Sequence, residues 1–177
     1  MTLPPRALSA LLAVAARLDR AGVEWLLAGS AARALMGVDV RPADIDIEVS
    51  PHSAAAVQRS LGITLAYAAG GGRSSWRGAT AAAGVEVDVT CDLDVEGPGG
   101  RLAPDFPLLR TWSPSREVAG RRIWLVPIEE SLARAIVRAD WAALARIAGE
   151  AARGAAPAPR PAYLSLRLSR AAASAAR

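Results

Sequence analysis

Apolar side chains recur at three- and four-residue intervals through Leu8, Leu11, Leu12, Ala15 and Leu18. That stripe predicts an amphipathic helix opened by Pro4-Pro5 and stopped at Gly22. Residues 23–28 are almost continuously apolar and read as a short buried strand. The strand passes without a linker into Gly29-Ser30 and a small-residue helix, 31–36, ended by Gly37. In 44–49 acids alternate with aliphatics (Asp44, Ile45, Asp46, Ile47, Glu48, Val49), which predicts a strand with one acidic and one apolar face. Ser50 and Pro51 suit the cap and first turn of a helix over about 51–61.

Beyond Gly62 the pattern turns sheet-like. It predicts a strand at 63–67, a flexible connection at Gly70-Gly71-Gly72, a short strand around 75–77 and a second acid-alternating strand at 85–90. Residues 94–105 read as a turn or loop leading into a hairpin whose clearest strand is 121–126. Pro127 opens a helix through about Arg138, and Asp140 caps another through Ala148. Trp25, Trp124 and Trp141 read as packing side chains.

Charge changes the picture at the C-terminal end. The 21 basic residues are all arginine, against 17 acids. Residues 1–150 hold 16 arginines and all 17 acids, net −1, whereas 151–177 hold 5 arginines and no acid, net +5. The chain therefore divides into one folded domain over 1–148 and an Ala/Pro/Arg-rich tail over 149–177, read as flexible although a short helix at 162–170 is compatible with it. Arg17, Asp19 and Arg20 interrupt the first apolar stretch before it could span a bilayer, so the expectation is a cytoplasmic protein with no membrane segment. Cys91 is the single cysteine and His52 the single histidine. Disulfide scaffolds, structural zinc sites and histidine-based triads are thereby disfavoured.

The remaining chemistry is acidic. Two carboxylates two residues apart on a strand, Asp44 and Asp46, point the same way and repel unless a cation lies between them. A third acid, Asp88 or Glu86 from the second alternating strand, completes an oxygen-rich site suited to Mg2+. Gly29 permits close backbone approach of a phosphate, and Ser30 adds a hydroxyl.

Residues 25–35 (Trp-Leu-Leu-Ala-Gly-Ser-Ala-Ala-Arg-Ala-Leu) and 41–47 (Arg-Pro-Ala-Asp-Ile-Asp-Ile) resemble the nucleotidyltransferase superfamily that includes DNA polymerase beta. They are most similar to small bacterial members related to aminoglycoside adenylyltransferases and to abortive-infection toxin nucleotidyltransferases. The resemblance implies an α+β fold: a mixed β-sheet flanked by helices, with a C-terminal helical segment. It assigns Asp44, Asp46 and Asp88 as catalytic and metal-binding residues, preferring Asp88 over Glu86 as the third acid. Gly29, Ser30 and Arg41 become nucleotide-binding, and Arg134 or Arg138 stands where the small members often carry a phosphate-facing lysine. The activity implied is Mg2+-dependent transfer of a nucleoside monophosphate, AMP from ATP, with two ions at the site and pyrophosphate as leaving group. The acceptor stays open: small hydroxylated molecules, RNA ends and protein hydroxyls all present the required nucleophile. The alternative is an inactive protein of the same fold acting as a toxin–antitoxin partner or RNA-binding protein. In either reading the basic tail offers an RNA contact.

Overall fold

The computed structural model describes residues 3–152 and 159–175. Helix α1 (Pro5–Arg20) turns Ala7, Ala10, Leu11, Val14, Ala15 and Leu18 inward. Strand β1 (Trp25–Leu27) is wholly buried and leads directly into α2 (Gly29–Leu35). Strand β2 (Ile45–Val49), a 3-10 turn (Pro51–Ser53) and α3 (Ala54–Leu61) follow, with Gly62 ending α3 in the left-handed region at φ 69°. These elements lie where the periodicity places them.

The centre of the sheet departs from the sequence reading. Strand β3 is Ala66–Gly70 instead of 63–67, β4 is a ten-residue strand (Arg73–Ala82) instead of a short one, and β5 (Val85–Gly97) continues past the acidic alternation. Residues 63–65 instead cross β4 at Gly78, where a Cβ would stand 2.8 Å from the Thr64 carbonyl oxygen and 3.1 Å from Ile63 Cδ1. The missing side chain on β4 is what admits them. The connection at 71–72 is a tight hairpin turn with both glycines at positive φ.

Strand β6 (Gly100–Leu102) pairs with the far end of β5, giving a six-stranded sheet of order β1-β2-β5-β4-β3 with β6 off that path. Among the described residues β2–β5 is the one parallel pairing of that sheet. Helices α1 and α3 cover one face, packed on Ile45, Ile47, Val87, Val89 and Cys91. Helix α4 (Phe106–Trp112), which the sequence reading lacks, is capped by Asp105, whose carboxylate accepts from the Leu108 amide at 3.0 Å. A hairpin of β7 (Ser115–Val118) and β8 (Arg121–Trp124) brings Leu125 alongside Leu27 of β1.

Helix α5 (Ile128–Val137) and helix α6 (Trp141–Ala152) then stand over the other face of the sheet. Asp140 caps α6 by accepting from the Ala143 amide at 3.0 Å, while Trp141 is 67% exposed and does not pack.

The Ala/Pro/Arg-rich composition of 149–177 is read as a flexible tail, yet residues 161–175 form helix α7 (Pro161–Ala175), docked on β6 and α5. Tyr163 and Ala171 are fully buried. A Cβ on Gly100 would stand 2.5 Å from the Ala171 carbonyl oxygen, so helix and strand backbones nearly touch. Docking is possible because the tail's cations meet acids elsewhere in the chain: Arg160 pairs with Glu129, Arg167 with Glu130 and Arg170 with Asp105. Three of the five tail arginines are thus committed within the molecule, and Arg153 and Arg177 lie outside the described residues. No described helix is long and apolar enough to cross a membrane.

Candidate active site

Alternation along β2 sends Ile45, Ile47 and Val49 into the core beneath α1 and α3, and Asp46 and Glu48 to the opposite face. The parallel register then sets Asp46 directly beside Asp88 of β5. Asp44 immediately precedes the strand. One carboxylate oxygen from each of Asp44, Asp46 and Asp88 lies within 4.8 Å of the others. Glu86, also on β5, is exposed and lies outside this cluster.

The assembly is electrostatically uncomfortable by itself. Asp46 is pushed up from 3.8 to about 6, first by burial and then by the charges of Asp44, Asp88 and Glu48, with Arg33 opposing. Its side chain accepts no hydrogen bond among the described residues. Three hard oxygen donors around an under-compensated carboxylate fit a divalent cation such as Mg2+. The nearby thiol of Cys91 is buried on the core side of β5 and takes no part.

Gly29 makes the arrangement sterically feasible. Its φ is +60°, and a Cβ there would stand 1.7 Å from Asp46 Oδ2. The carboxylate therefore rests where any other residue's side chain would begin. Ser30 Oγ donates to Asp44 Oδ1 over a long 3.5 Å.

Above the acids opens a cleft of about 440 Å3, walled by α5 and α6 and by the β4 face that carries Arg73 and Arg77. Its arginines differ in how far they are spent. Arg33 donates to Glu150 at 2.7 Å, and Arg146 approaches the same oxygen at 3.5 Å. Arg138 lies 3.5 Å from Asp140, and Arg77 Nε donates to the neutral Ser75 hydroxyl at 2.8 Å. Arg73 makes no salt bridge among the described residues; burial, then Arg138, Arg134 and Arg77, hold its pKa below the usual arginine value. The cleft thus sets acids on its floor against crowded cations on its walls, the complement of a metal–polyphosphate.

Arg134 reaches the cleft but is differently employed. Nη1 and Nη2 donate to the two oxygens of Glu48 at 2.5 and 2.8 Å, and Nε donates to Glu130 at 3.1 Å. These carboxylates outweigh burial and push its pKa up. Its donors are thus engaged by two acids in an internal ion network. Arg41 is exposed and is not among the cleft-lining residues. The structure thus gathers Gly29, Asp46, Asp88, Arg134 and Arg138 at the cleft, with Ser30 and Asp44 adjoining, and leaves Arg41 apart. Arg33, Arg73, Arg77 and Arg146 are the lining residues that sequence reading misses. The i, i+2, i+4 placement of Arg73, Ser75 and Arg77 is the available signal, and it appears only when β4 extends over Arg73–Ala82.

The family described as aminoglycoside-2''-adenylyltransferase matches residues 10–94, a stretch that includes Gly29, Ser30, Asp44, Asp46 and Asp88. Among solved structures, a candidate nucleotidyltransferase from Thermotoga maritima superposes with a TM-score of 0.66 at 23% identity, over 86% of this chain and 94% of that one. ANT(2")-Ia in complex with adenylyl-2"-tobramycin superposes with a TM-score of 0.52 at 12% identity, over 90% and 95% of the two chains. No curated protein matches the sequence.

Proposed function

We propose that the chain belongs to the nucleotidyltransferase superfamily of DNA polymerase beta-like fold, a reading supported by the family match over residues 10–94 and by the shared fold, and that it is an active, Mg2+-dependent nucleotidyltransferase. It transfers a nucleoside monophosphate, AMP from ATP, to an acceptor hydroxyl. The observation that supports this reading is the convergence of Asp44, Asp46 and Asp88, oxygens within 4.8 Å, at the floor of an arginine-walled cleft. Bound Mg2+ would neutralise phosphate charge and polarise the attacking and leaving oxygens.

The chain's own residues supply the rest. Asp44, Asp46 and Asp88 would hold the metal, and Asp88 takes the acceptor hydroxyl's proton. Gly29 keeps the approach to Asp46 clear. Arg73, Arg77 and Arg138 bind the nucleotide's phosphates and stabilise pyrophosphate as it leaves, a role that oriented guanidinium groups perform well. In the transfer, the acceptor oxygen–α-phosphorus bond forms, the α–β anhydride bond breaks, and no covalent enzyme intermediate is needed.

The test is incubation of the full chain with α-labelled ATP and an acceptor panel of aminoglycosides, other polyhydroxylated small molecules, RNA and protein. Metal-dependent label transfer that vanishes in Asp46→Asn and in excess chelator is expected. Equal turnover by wild type and Asp46→Asn would overturn the assignment.

A further inference from the structure

Strand β2 bears a second acid on the face of Asp46. Glu48 lies two residues on, about 7 Å along the strand, and its side chain is one methylene longer than aspartate. It lines the same cleft as Asp46 and Asp88, although as held by Arg134 it lies outside the three-acid cluster. Both of its oxygens are taken by Arg134. Arg134 is itself anchored through Nε to Glu130, which Tyr163 and Arg167 of α7 fix at 2.7 to 2.8 Å.

We propose that Arg134 is a positioning residue for the metal site: by holding Glu48 in a two-pronged ion pair, it withholds a fourth carboxylate from the cation bound by Asp44, Asp46 and Asp88. The inference rests on the metal reading of that triad. Its chemical sense follows from charge and coordination. Four carboxylates would bind a divalent ion more tightly, cancel the positive field that attracts a polyphosphate, and occupy positions that phosphate oxygens need. A guanidinium fork suits the task because it satisfies both carboxylate oxygens at once. The network also extends the structural support of the catalytic strand to the C-terminal helix: α7 holds Glu130, Glu130 holds Arg134, and Arg134 holds Glu48.

The test is nucleotide-free Mn2+ titration of the full chain by electron paramagnetic resonance, with wild type, Arg134→Gln, Glu48→Gln and the double variant. Arg134→Gln should bind Mn2+ about tenfold tighter, and the double variant should fall back to within about threefold of wild type, the scale on which charge count tunes such sites. Glu48→Gln alone should also stay within about threefold, since Glu48 is not a ligand while Arg134 is present. A residue that merely supports the fold would weaken metal binding when replaced, so the sign discriminates. Unchanged or weaker binding by folded Arg134→Gln overturns the proposal. Should that variant not fold, loss of about tenfold or more in Glu48→Gln overturns it by showing Glu48 to be a ligand, and retained affinity there supports it. No Mn2+ binding by wild type overturns the metal reading and this inference together, whereas binding by wild type with a failed sign test removes this inference alone.

Discussion

Replacing Asp46 with Asn should abolish transfer and yet stabilise the metal-free protein. Asp46 ionises at about 6 instead of 3.8, so folding disfavours its charged form. Taken at face value, two pKa units amount to about 3 kcal/mol at neutral pH. The side chain is partly solvated, and screening reduces this to about 1.5 kcal/mol. Asn fits the same space against Gly29, and no hydrogen bond of Asp46 is lost among the described residues. The sign is that of a raised acid: its favourable contribution is present below pH 3.8 and is lost as pH rises through about 6. The variant's advantage should therefore be near zero at pH 4, grow between pH 4 and 6, and level off above. In a chain of 177 residues, about 1.5 kcal/mol raises the thermal midpoint by about 5 °C. Scanning calorimetry in chelator at several pH values measures it. Millimolar Mg2+ should then reverse the order, because the wild type gains binding energy that the variant lacks. A variant less stable than wild type in chelator at pH 7.5, or an advantage independent of pH, would refute the reasoning.

Gly29→Ala should cost more through Asp46 than through the backbone. Ala83, Ala119 and Ala139 already adopt positive φ here, so the conformational penalty is the ordinary one of about 1–2 kcal/mol. The contact at 1.7 Å, however, must displace the carboxylate. Expected are weakened Mn2+ affinity and at least about a hundredfold loss of transfer, the scale for a misplaced catalytic group; activity within a few-fold of wild type would contradict it. Glu86→Gln should leave Mn2+ binding unchanged while Asp88→Asn weakens it, and the reverse result in the same titration would move the third ligand to Glu86. Glu129 and Glu130 both ionise below 4.5, despite burial, because of Arg160 for the first and Arg134 and Arg167 for the second. Their stabilisation is present above pH 4.5 and is lost as pH falls through their lowered values, so urea midpoints should drop steeply below pH 4.5. Glu130→Gln, which strands two buried arginine partners, should be destabilised at pH 7 by about 3–5 kcal/mol, and a loss under about 1 kcal/mol would show the network to be dispensable.

The acid strands were legible because their information is local. Alternation of aspartate with isoleucine states both which face is buried and which carboxylates share the other. The helix over 128–137 and the Asp140 cap were legible for the same reason. Strand β4 was not, since Arg-Ser-Ser-Trp-Arg-Gly-Ala-Thr has no apolar alternation: Gly78 is small because residues 63–65 lie on it, a reason visible only in three dimensions. The role of α7 was hidden by a charge count that saw five arginines without acids. Their partners Glu129, Glu130 and Asp105 stand 31, 37 and 65 residues away. The pattern places Arg134 on a helix beside the site but does not reveal its pairing with Glu48, 86 residues away in the chain.

The parallel pairing of β2 with β5 has a kinetic corollary. Asp46 and Asp88 are neighbours across the sheet although α3 and the β3–β4 hairpin lie between them in the chain. An unfolded chain can offer a cation the local Asp44–Asp46 pair, but never the full set. Pairing over such a sequence separation carries a large loop-closure cost, which favours its forming after the local contacts. Divalent ions should therefore act chiefly as a latch on the finished molecule, slowing its unfolding while leaving the rate of folding almost untouched.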